Sequence, residues 1–567
     1  MQLPRERLKS ARAVVGALAA VVLIYGGANL YWIHADSTLR GYDMGPHMLG
    51  VANSYAVFAE QGLREGLGWA ARLKNASWPG TSYLPMVGLS YVFGLSVEAL
   101  RTYNLIFLAL MVVAVYFIGR QVMSREAGLL AAALVPAYPG VTADCRQIGL
   151  DFPCGAMVAV CIAFLLSTER FSRPGRCLLL GVAAGLATLI RPHAHFFLAL
   201  PVVLVLGLGL ARPVASRLRV AAGAGLAVLG ALAVSAPYWV GNLAQIWGTF
   251  FDHQEGRIID SVGPSFPFYV TAIQISAGGF LLGALVVAAV ALAIFWWRGR
   301  KDEDFPRTRQ MWVVWAWIVG GVAMLSWIDV HRLRFLVAFL PALAVITAAG
   351  VASLRVAPFR YVAGAAVLVG AVVPWLFVTV DIAGMPLPTA RAPAIQTIER
   401  TELSLRGGVP FQDPYIQVLH RLADQLQRQH GQGEGVLMRM VVGPRVDPMV
   451  LHWAAIPVLM VNLPHLRFTE KRFPEYILDT RPEGDAFNVA SVFYPAKPPR
   501  ITACYSLRIH RAKGPGRARG AGCGRFFDED IAHPLDPPEP LRLSVYRYKE
   551  CPLSLCKADG PDPKDGK

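Results

Sequence analysis

Between residues 13 and 380 the chain alternates apolar stretches of some 14 to 29 residues with short polar breaks rich in arginine, or in aspartate and histidine. A helix needs about 20 apolar residues, and no fewer than roughly 17, to cross a hydrocarbon core. Backbone in lipid must satisfy its own hydrogen bonds, and the stretches lack the alternation of membrane barrel strands. The pattern therefore predicts a polytopic α-helical membrane protein with roughly eleven crossings.

The first stretch, Ala13 to Tyr31, follows Arg5, Arg7, Lys9 and Arg12, and ends in Asn29, Tyr31 and Trp32. That composition suits an interfacial belt better than a cleavage site, and predicts a retained anchor with a cytoplasmic N-terminus. Later crossings are expected at 152–167, 177–190, 196–211, 220–238, 269–297, 311–328, 333–350 and 361–380. Three segments, 81–98, 102–119 and 127–140, must supply an even number of crossings. If 127–140 only dips, Arg101 is inside; if 81–98 is the shallow one, Arg120 and Arg125 are inside, which the charge bias prefers.

Composition supports this picture. Hydrophobic residues make up 54% of the 567 residues and charged residues 16%, whereas soluble chains carry about a quarter charged residues. The net charge of +16 would otherwise suggest nucleic acid. Its placement argues against that partner: Arg170, Arg173 and Arg176; Arg212, Arg217 and Arg219; Arg298, Arg300, Lys301, Arg307 and Arg309; and Arg355 with Arg360 fall in every second loop. This is the positive-inside distribution. It puts loops 34–80, 141–151, 191–195, 239–268 and 329–332 on the outer face, with everything after 381.

From Asp381 the composition changes, and Pro386, Pro388 and Pro393 mark a linker. The expected division is a membrane module over 1–380 and an extracytoplasmic mixed α/β domain over 381–567. Within the latter a helix is predicted over 411–427, with Tyr415, Val418, Leu419, Leu422 and Leu426 on one face, and strands over 435–442, 455–460, 501–509 and 541–548. Arg511, Lys513, Arg517, Arg519 and Arg525 form either a solvated basic loop or a surface for anionic headgroups or a phosphorylated substrate. Cys145, Cys154, Cys161 and Cys177 lie in or beside membrane segments. Cys504, Cys523, Cys551 and Cys556 lie in the terminal domain; their spacing is not that of a zinc site, and an oxidising compartment would favour one or two disulfides.

Candidate chemistry collects on the outer loops. The first, HADSTLRGYDMGPHMLGVANSYAVFAEQGLREG, carries Asp36, Asp43 and His47 near the interface. A carboxylate there can take a proton from an attacking hydroxyl, hold a cation beside a lipid phosphate, or simply terminate a helix. The second, TADCRQIGLDFP, adds Asp144, Arg146 and Asp151, the last placed to open a helix whose amides favour its charge. IRPHAHFF supplies Arg191, His193 and His195; FFDHQEGRIID supplies Asp252, His253, Glu255 and Arg257; IDVHRLRF supplies Asp329, His331, Arg332 and Arg334. Arginine forks match phosphate oxygens, although arginines at helix ends also snorkel to headgroups. No P-loop or dinucleotide fingerprint occurs, and the sequon Asn75-Ala76-Ser77 is too short to weigh.

Taken in order, these motifs resemble the GT-C superfamily of membrane glycosyltransferases, in the branch of the protein O-mannosyltransferases and the aminoarabinose lipid A transferase. Tyr42-Asp43 stands where that branch carries an acidic pair, with Met44 in place of the usual Glu. SWPGTSYLPMVGLSYVFG lacks the double proline. LDFP (Asp151, Pro153), GVAAGLATLIRPHA (Arg191, Pro192) and RLRFLVAFLPALAV (Arg334, Pro341) resemble the later motifs. The resemblance, spanning about residues 10–350, implies transfer of a sugar from a polyprenyl-phosphate-linked donor to an acceptor at the outer face. High Arg, Ala and Gly usage points to a bacterial inner membrane with a periplasmic terminal domain, an archaeal membrane or an organelle lumen being the alternatives. The same resemblance implies Asp43 as base or acceptor-orienting carboxylate, with Asp151 assisting. Donor phosphate contacts fall to Arg191, His331 and Arg334, while Asp36, His47, Asp144 and His253 are further substrate-binding candidates. The cofactor is unassigned, a divalent cation being one alternative. Flipping of a lipid-linked glycan is the competing function; paired inverted repeats, which it would favour, are not evident.

Overall fold

The computed structural model describes residues 3–36, 44–72, 79–247, 305–328, 333–354, 356–379 and 414–430, five strands between 435 and 548, and the isolated helical positions Ile273 and Ala277. It divides into two compact units: Met1–Ala35, Ala71–Ser82 and Arg101–Pro410 form the first, and Asp36–Ala70, Tyr83–Leu100 and Phe411–Lys567 the second.

The helices of the first unit are Leu3–Ala35 (α1), Asn104–Val122 (α2), Arg125–Leu134 (α3), Pro139–Cys145 (α4), Asp151–Ser167 (α5), Pro174–Ile190 (α6), Ala194–Leu210 (α7), Val214–Trp247 (α8), Phe305–Ile328 (α9), Leu340–Ala352 (α10) and Ala357–Thr379 (α11). Among the described residues three stretches, Ala11–Ala35, Val97–Val122 and Ser216–Val240, are long and apolar enough to span alone. A bent pair, Arg125–Ala137 with Pro139–Cys145, can form another span, and six further apolar helices are shorter. Large apolar side chains stand exposed along these helices, Leu218 at 80% and Val240 at 86% among them. In water such surface would drive association, whereas lipid tails satisfy it.

Sequence expectation and structure agree on most of these helices, with shifted ends. Of the three ambiguous segments, the first holds a 3-10 turn ending at Tyr83, the ten-residue α-helix Leu84–Phe93 and the start of a short helix at Val97; the ten-residue helix rises about 15 Å, half of the hydrocarbon thickness. Two expected loops turn out partly helical. Residues 141–145 belong to α4, and most of 34–80 is the helix Met44–Arg72, which continues through a non-helical Gly62. The expected crossing at 333–350 starts instead as a 3-10 turn, Leu333–Ala338, and only Leu340–Ala352 is α-helical. Pro341 explains the break: it lacks the amide needed to extend the ladder and fits the first helical turn. The expected crossing at 269–297 lies outside the described residues, Ile273 and Ala277 excepted.

Helix α5 is the axis of this unit. Its residues from Asp151 to Ala159 are all buried, which accounts for a sequence apolar on every side. It forms an antiparallel hairpin with α6, and each has 17 residues. Equal lengths of about 25 Å bring the end of α6 back to the level of Asp151. The intervening turn has three successive non-glycine residues at positive φ, Glu169, Arg170 and Phe171. Thr168 supports it, its hydroxyl accepting from the Phe171 amide at 3.1 Å and its carbonyl from the Ser172 and Arg173 amides. Glycine sets the tightest contacts in the unit. A Cβ on Gly181 would run into the Ala227 carbonyl of α8, and one on Gly155 would lie 2.8 Å from the Val337 carbonyl. The second contact seats the 3-10 turn against α5.

In the second unit, helix Pro414–His430 buries Val418, Leu419, Leu422, Ala423 and Leu426. Strands Gly435–Val442 (β1), Leu466–Phe468 (β2), Ile501–Arg511 (β3), Cys523–Ile531 (β4) and Leu541–Tyr548 (β5) form one mixed sheet of order β2-β1-β3-β5-β4. β1 pairs in parallel with β2 and β3, and β5 runs antiparallel to β3 and β4. The segment 455–460, expected as a strand, lies outside the described residues, as do Cys551 and Cys556.

Candidate functional site

The head of α5 is where charge converges. Asp151 is the first residue of that helix, so its carboxylate lies at the positive end of the helix dipole. The approach to it is pinned from below. The Asn104 amide, at the start of α2, donates to the carbonyls of Gln147 at 2.7 Å and Cys145 at 3.2 Å, and the Tyr103 hydroxyl donates to the Gly149 carbonyl at 3.1 Å. The backbone carbonyls after α4 are thereby satisfied, and Asp151 has a fixed address.

Two cations reach it from different elements. Arg191 caps α6 in an extended conformation, its amide still bonded to the Ala187 carbonyl. Pro192 disfavours helix at that position and so ends α6 there. Arg191 Nη1 lies 3.0 Å from Asp151 Oδ1. Arg334 arrives on the 3-10 turn, whose Ala338 carbonyl accepts from Trp317 Nε1 of α9 at 2.9 Å. Arg334 Nε lies 3.3 Å from Asp151 Oδ2. Phe335 lies under both guanidiniums, 5.7 Å from that of Arg191 and 5.5 Å from that of Arg334.

His193 completes the group. Its Nε2 is 3.8 Å from Asp151 Oδ1, and its ring meets Phe335 edge-on at 5.3 Å. Burial, and then the Arg191 and Arg334 cations, hold its pKa well below the ordinary imidazole range. The ring is therefore neutral at physiological pH and adds no charge. The side chains of Asp151 and Arg191 are 7% and 6% exposed, that of Arg334 17%. Two guanidiniums and one carboxylate give this set a net charge of +1, suited to an anion.

Of the residues singled out from sequence, Asp151, Arg191 and Arg334 come together. Asp144 lies half-buried in α4. In the second unit, Asp36 is buried, and His47 is buried with Nδ1 3.3 Å from the Tyr83 hydroxyl. Asp43, His253 and His331 lie outside the described residues. Phe335 was missed as a functional position because an aromatic in an apolar run carries no signal of its own. A second buried cation was also unforeseen in its partner: Arg146 Nε donates to Asn29 Oδ1 at 2.7 Å, and the guanidinium lies 4.8 Å from the Trp32 ring centre, tying α1 to the segment before α5. Among the described residues no group of three or more His, Cys, Asp or Glu is arranged to hold a metal ion.

Comparison with known proteins bears on this geometry. Residues 79–240 match the family model described as dolichyl-phosphate-mannose-protein mannosyltransferase. The solved structure of ArnT from Cupriavidus metallidurans bound to undecaprenyl phosphate is similar at 16% identity, with a TM-score of 0.57 over 93% of this chain and 97% of that one. The same protein in its apo state matches at 14% identity and a TM-score of 0.57, over 94% of this chain and 98% of that one. No curated protein sequence matches the chain. The membrane helices, the matched segment 79–240 and the shared architecture together make this chain a polytopic membrane protein of the GT-C fold.

Proposed function

We propose that the protein transfers a sugar from a polyprenyl-phosphate donor to an acceptor at the membrane surface. The observation that carries this reading is the convergence of Arg191 and Arg334 on Asp151 at the head of a buried helix. In the reaction an acceptor hydroxyl or amine attacks the anomeric carbon, the bond from that carbon to the phosphate oxygen breaks, and polyprenyl phosphate leaves with the electron pair. Negative charge grows on the phosphate, where fixed guanidiniums stabilise it more than in the ground state. Arg191 and Arg334 serve this role, with His331, three residues before Arg334 in the chain, as a further candidate. Asp151 assists by holding the two forks together and aimed, since without it they would repel.

Asp43 takes the acceptor proton or orients the acceptor; Asp36, His47, Asp144 and His253 are further candidates for substrate binding. The undecaprenyl phosphate in the ArnT structure supports a lipid of that class as donor carrier. Arg170, Arg173, Arg176, Arg212, Arg217 and Arg219 sit at the opposite ends of α5 to α8 from Asp151 and Arg191. By the positive-inside rule the Asp151 end then faces outward, into the periplasm of a bacterial inner membrane, with the 381–567 domain on the same side.

The test is Asp43→Asn in purified protein supplied with a panel of polyprenyl-phosphate sugars, with lipid products and acceptors read by mass spectrometry. A positioned base is worth about a hundredfold to ten-thousandfold in rate. Retained donor binding with turnover reduced by that factor is expected. Wild-type turnover in the variant removes Asp43 from the mechanism, and no turnover by the unmodified protein on any donor would favour glycan flipping.

A further inference from the structure

Beside the charged cluster lies a second group that the proposed chemistry does not use. His195, in the first turn of α7, has Nε2 2.6 Å from the Thr188 hydroxyl near the end of α6. The same hydroxyl lies 2.9 Å from the Ala184 carbonyl. A hydroxyl has one hydrogen and a carbonyl can only accept, so that hydrogen lies on the line to Ala184; without it two lone pairs would face each other. The Thr188 oxygen is then an acceptor toward His195, and the imidazole proton is fixed on Nε2. Nδ1 carries the lone pair, and the side-chain hydrogen bond of His195 among the described residues is made by Nε2, leaving that lone pair to a ligand.

The ring's other neighbour is Trp239 of α8, centred 5.9 Å away and tilted by 34°. Trp239 is half-buried and packs with Leu189 on the buried Tyr238. An aromatic face beside an oriented acceptor suits a polyhydroxylated ring, whose C–H face lies on the indole while a hydroxyl donates to the imidazole. A phosphate would find only a lone pair here. Arg191 and His195 are four residues apart, so the two chemistries lie within about 14 Å along even a fully extended chain.

We propose that His195 Nδ1 and the Trp239 ring form a subsite for the sugar of the donor, in which His195 accepts a hydrogen bond from a sugar hydroxyl and discriminates donors by its position. This rests on the transferase reading and adds to it the part of the donor that the arginines do not touch.

Two amides separate the roles of the imidazole nitrogens. His195→Gln places an N–H donor where Nε2 was and keeps the Thr188 tie while removing the Nδ1 acceptor. His195→Asn places an amide group at the Nδ1 position and can offer an acceptor there without the tie. Wild type, both variants and Trp239→Ala, each checked for an unchanged melting profile, are titrated in nanodiscs with undecaprenyl phosphate and with undecaprenyl-phosphate-linked sugars. For His195→Gln and Trp239→Ala we expect about tenfold weaker binding of the sugar-linked lipid and unchanged binding of the bare lipid phosphate. His195→Asn should recover part of the loss. Equal binding of the sugar-linked lipid by His195→Gln and wild type overturns the subsite alone. Failure of wild type to bind either lipid overturns the transferase reading and the subsite with it.

Discussion

Replacing Asp151 with Asn tests the organisation of the cluster most directly. The substitution keeps the shape of the side chain and removes the charge that two guanidiniums share at 3.0 and 3.3 Å. At an effective dielectric near 20, one ion pair about 4 Å apart is worth about 4 kcal/mol. Both contacts cannot be added at that value, because Arg334 is partly solvated and its share is screened. Removing one partner of a buried pair typically costs about 3–5 kcal/mol, since the remaining charge stays buried and uncompensated. We expect a loss in that range, measured by chemical or thermal unfolding of the detergent-solubilised protein. The companion experiment is the cycle of Asp151→Asn, Arg334→Gln and the double variant. Arg334→Gln should be less harmful when Asp151 is already Asn, with an interaction energy of about 1–3 kcal/mol. Undecaprenyl phosphate should stabilise Asp151→Asn more than wild type, because the set then carries +2 and an anion restores the balance. Asp151→Asn stability within about 0.5 kcal/mol of wild type, or strictly additive losses in the cycle, would refute the view that Asp151 holds the two arginines.

His193 should make stability depend on pH. Its folded pKa is depressed below the ordinary value of about 6.5, so the contribution is complete above that value and is lost as pH falls toward the folded pKa. The slope is at most about 1.4 kcal/mol per pH unit, and His193→Gln should flatten it; an unchanged profile would show that another group titrates. Gly181→Ala would drive a methyl group into the Ala227 carbonyl and should destabilise by about 1–3 kcal/mol. The control Gly207→Ala meets nothing within 4 Å and should be neutral or slightly stabilising; equal effects would deny the close α6–α8 contact. Single cysteines in a background lacking the native ones, Arg173→Cys, Ile258→Cys and Val450→Cys, are expected to label from outside intact cells at 258 and 450 and to remain protected at 173. Labelling at 173 with protection at 450 would invert the proposed topology.

Several features were open to reading from the chain. Apolar runs of spanning length can only be helices in lipid, so α1, α2, α8 and most of the hairpin helices followed from composition alone. Asp151 at a helix start and Arg191-Pro192 at a helix end are local signals, and the structure puts both there. The helix Met44–Arg72 was harder to read, since its buried positions mix apolar Met44, Met48, Val51, Ala52, Val57 and Phe58 with polar His47, Asn53 and Ser54. Glycines and polar side chains through that stretch masked the period.

Sequence by itself determined that the chain belongs in a bilayer, roughly where it crosses, and which ends of the helices carry acid, histidine or arginine, because hydropathy and charge act locally on each segment. Only the tertiary structure decided which of those groups meet. Arg334 lies 183 residues from Asp151 in the chain. It reaches the carboxylate because Gly155 admits the 3-10 turn against α5, a contact in which neither element's own pattern names its partner. The fixed proton of His195 and the role of Phe335 are likewise matters of distance and direction, which residue type and spacing do not encode.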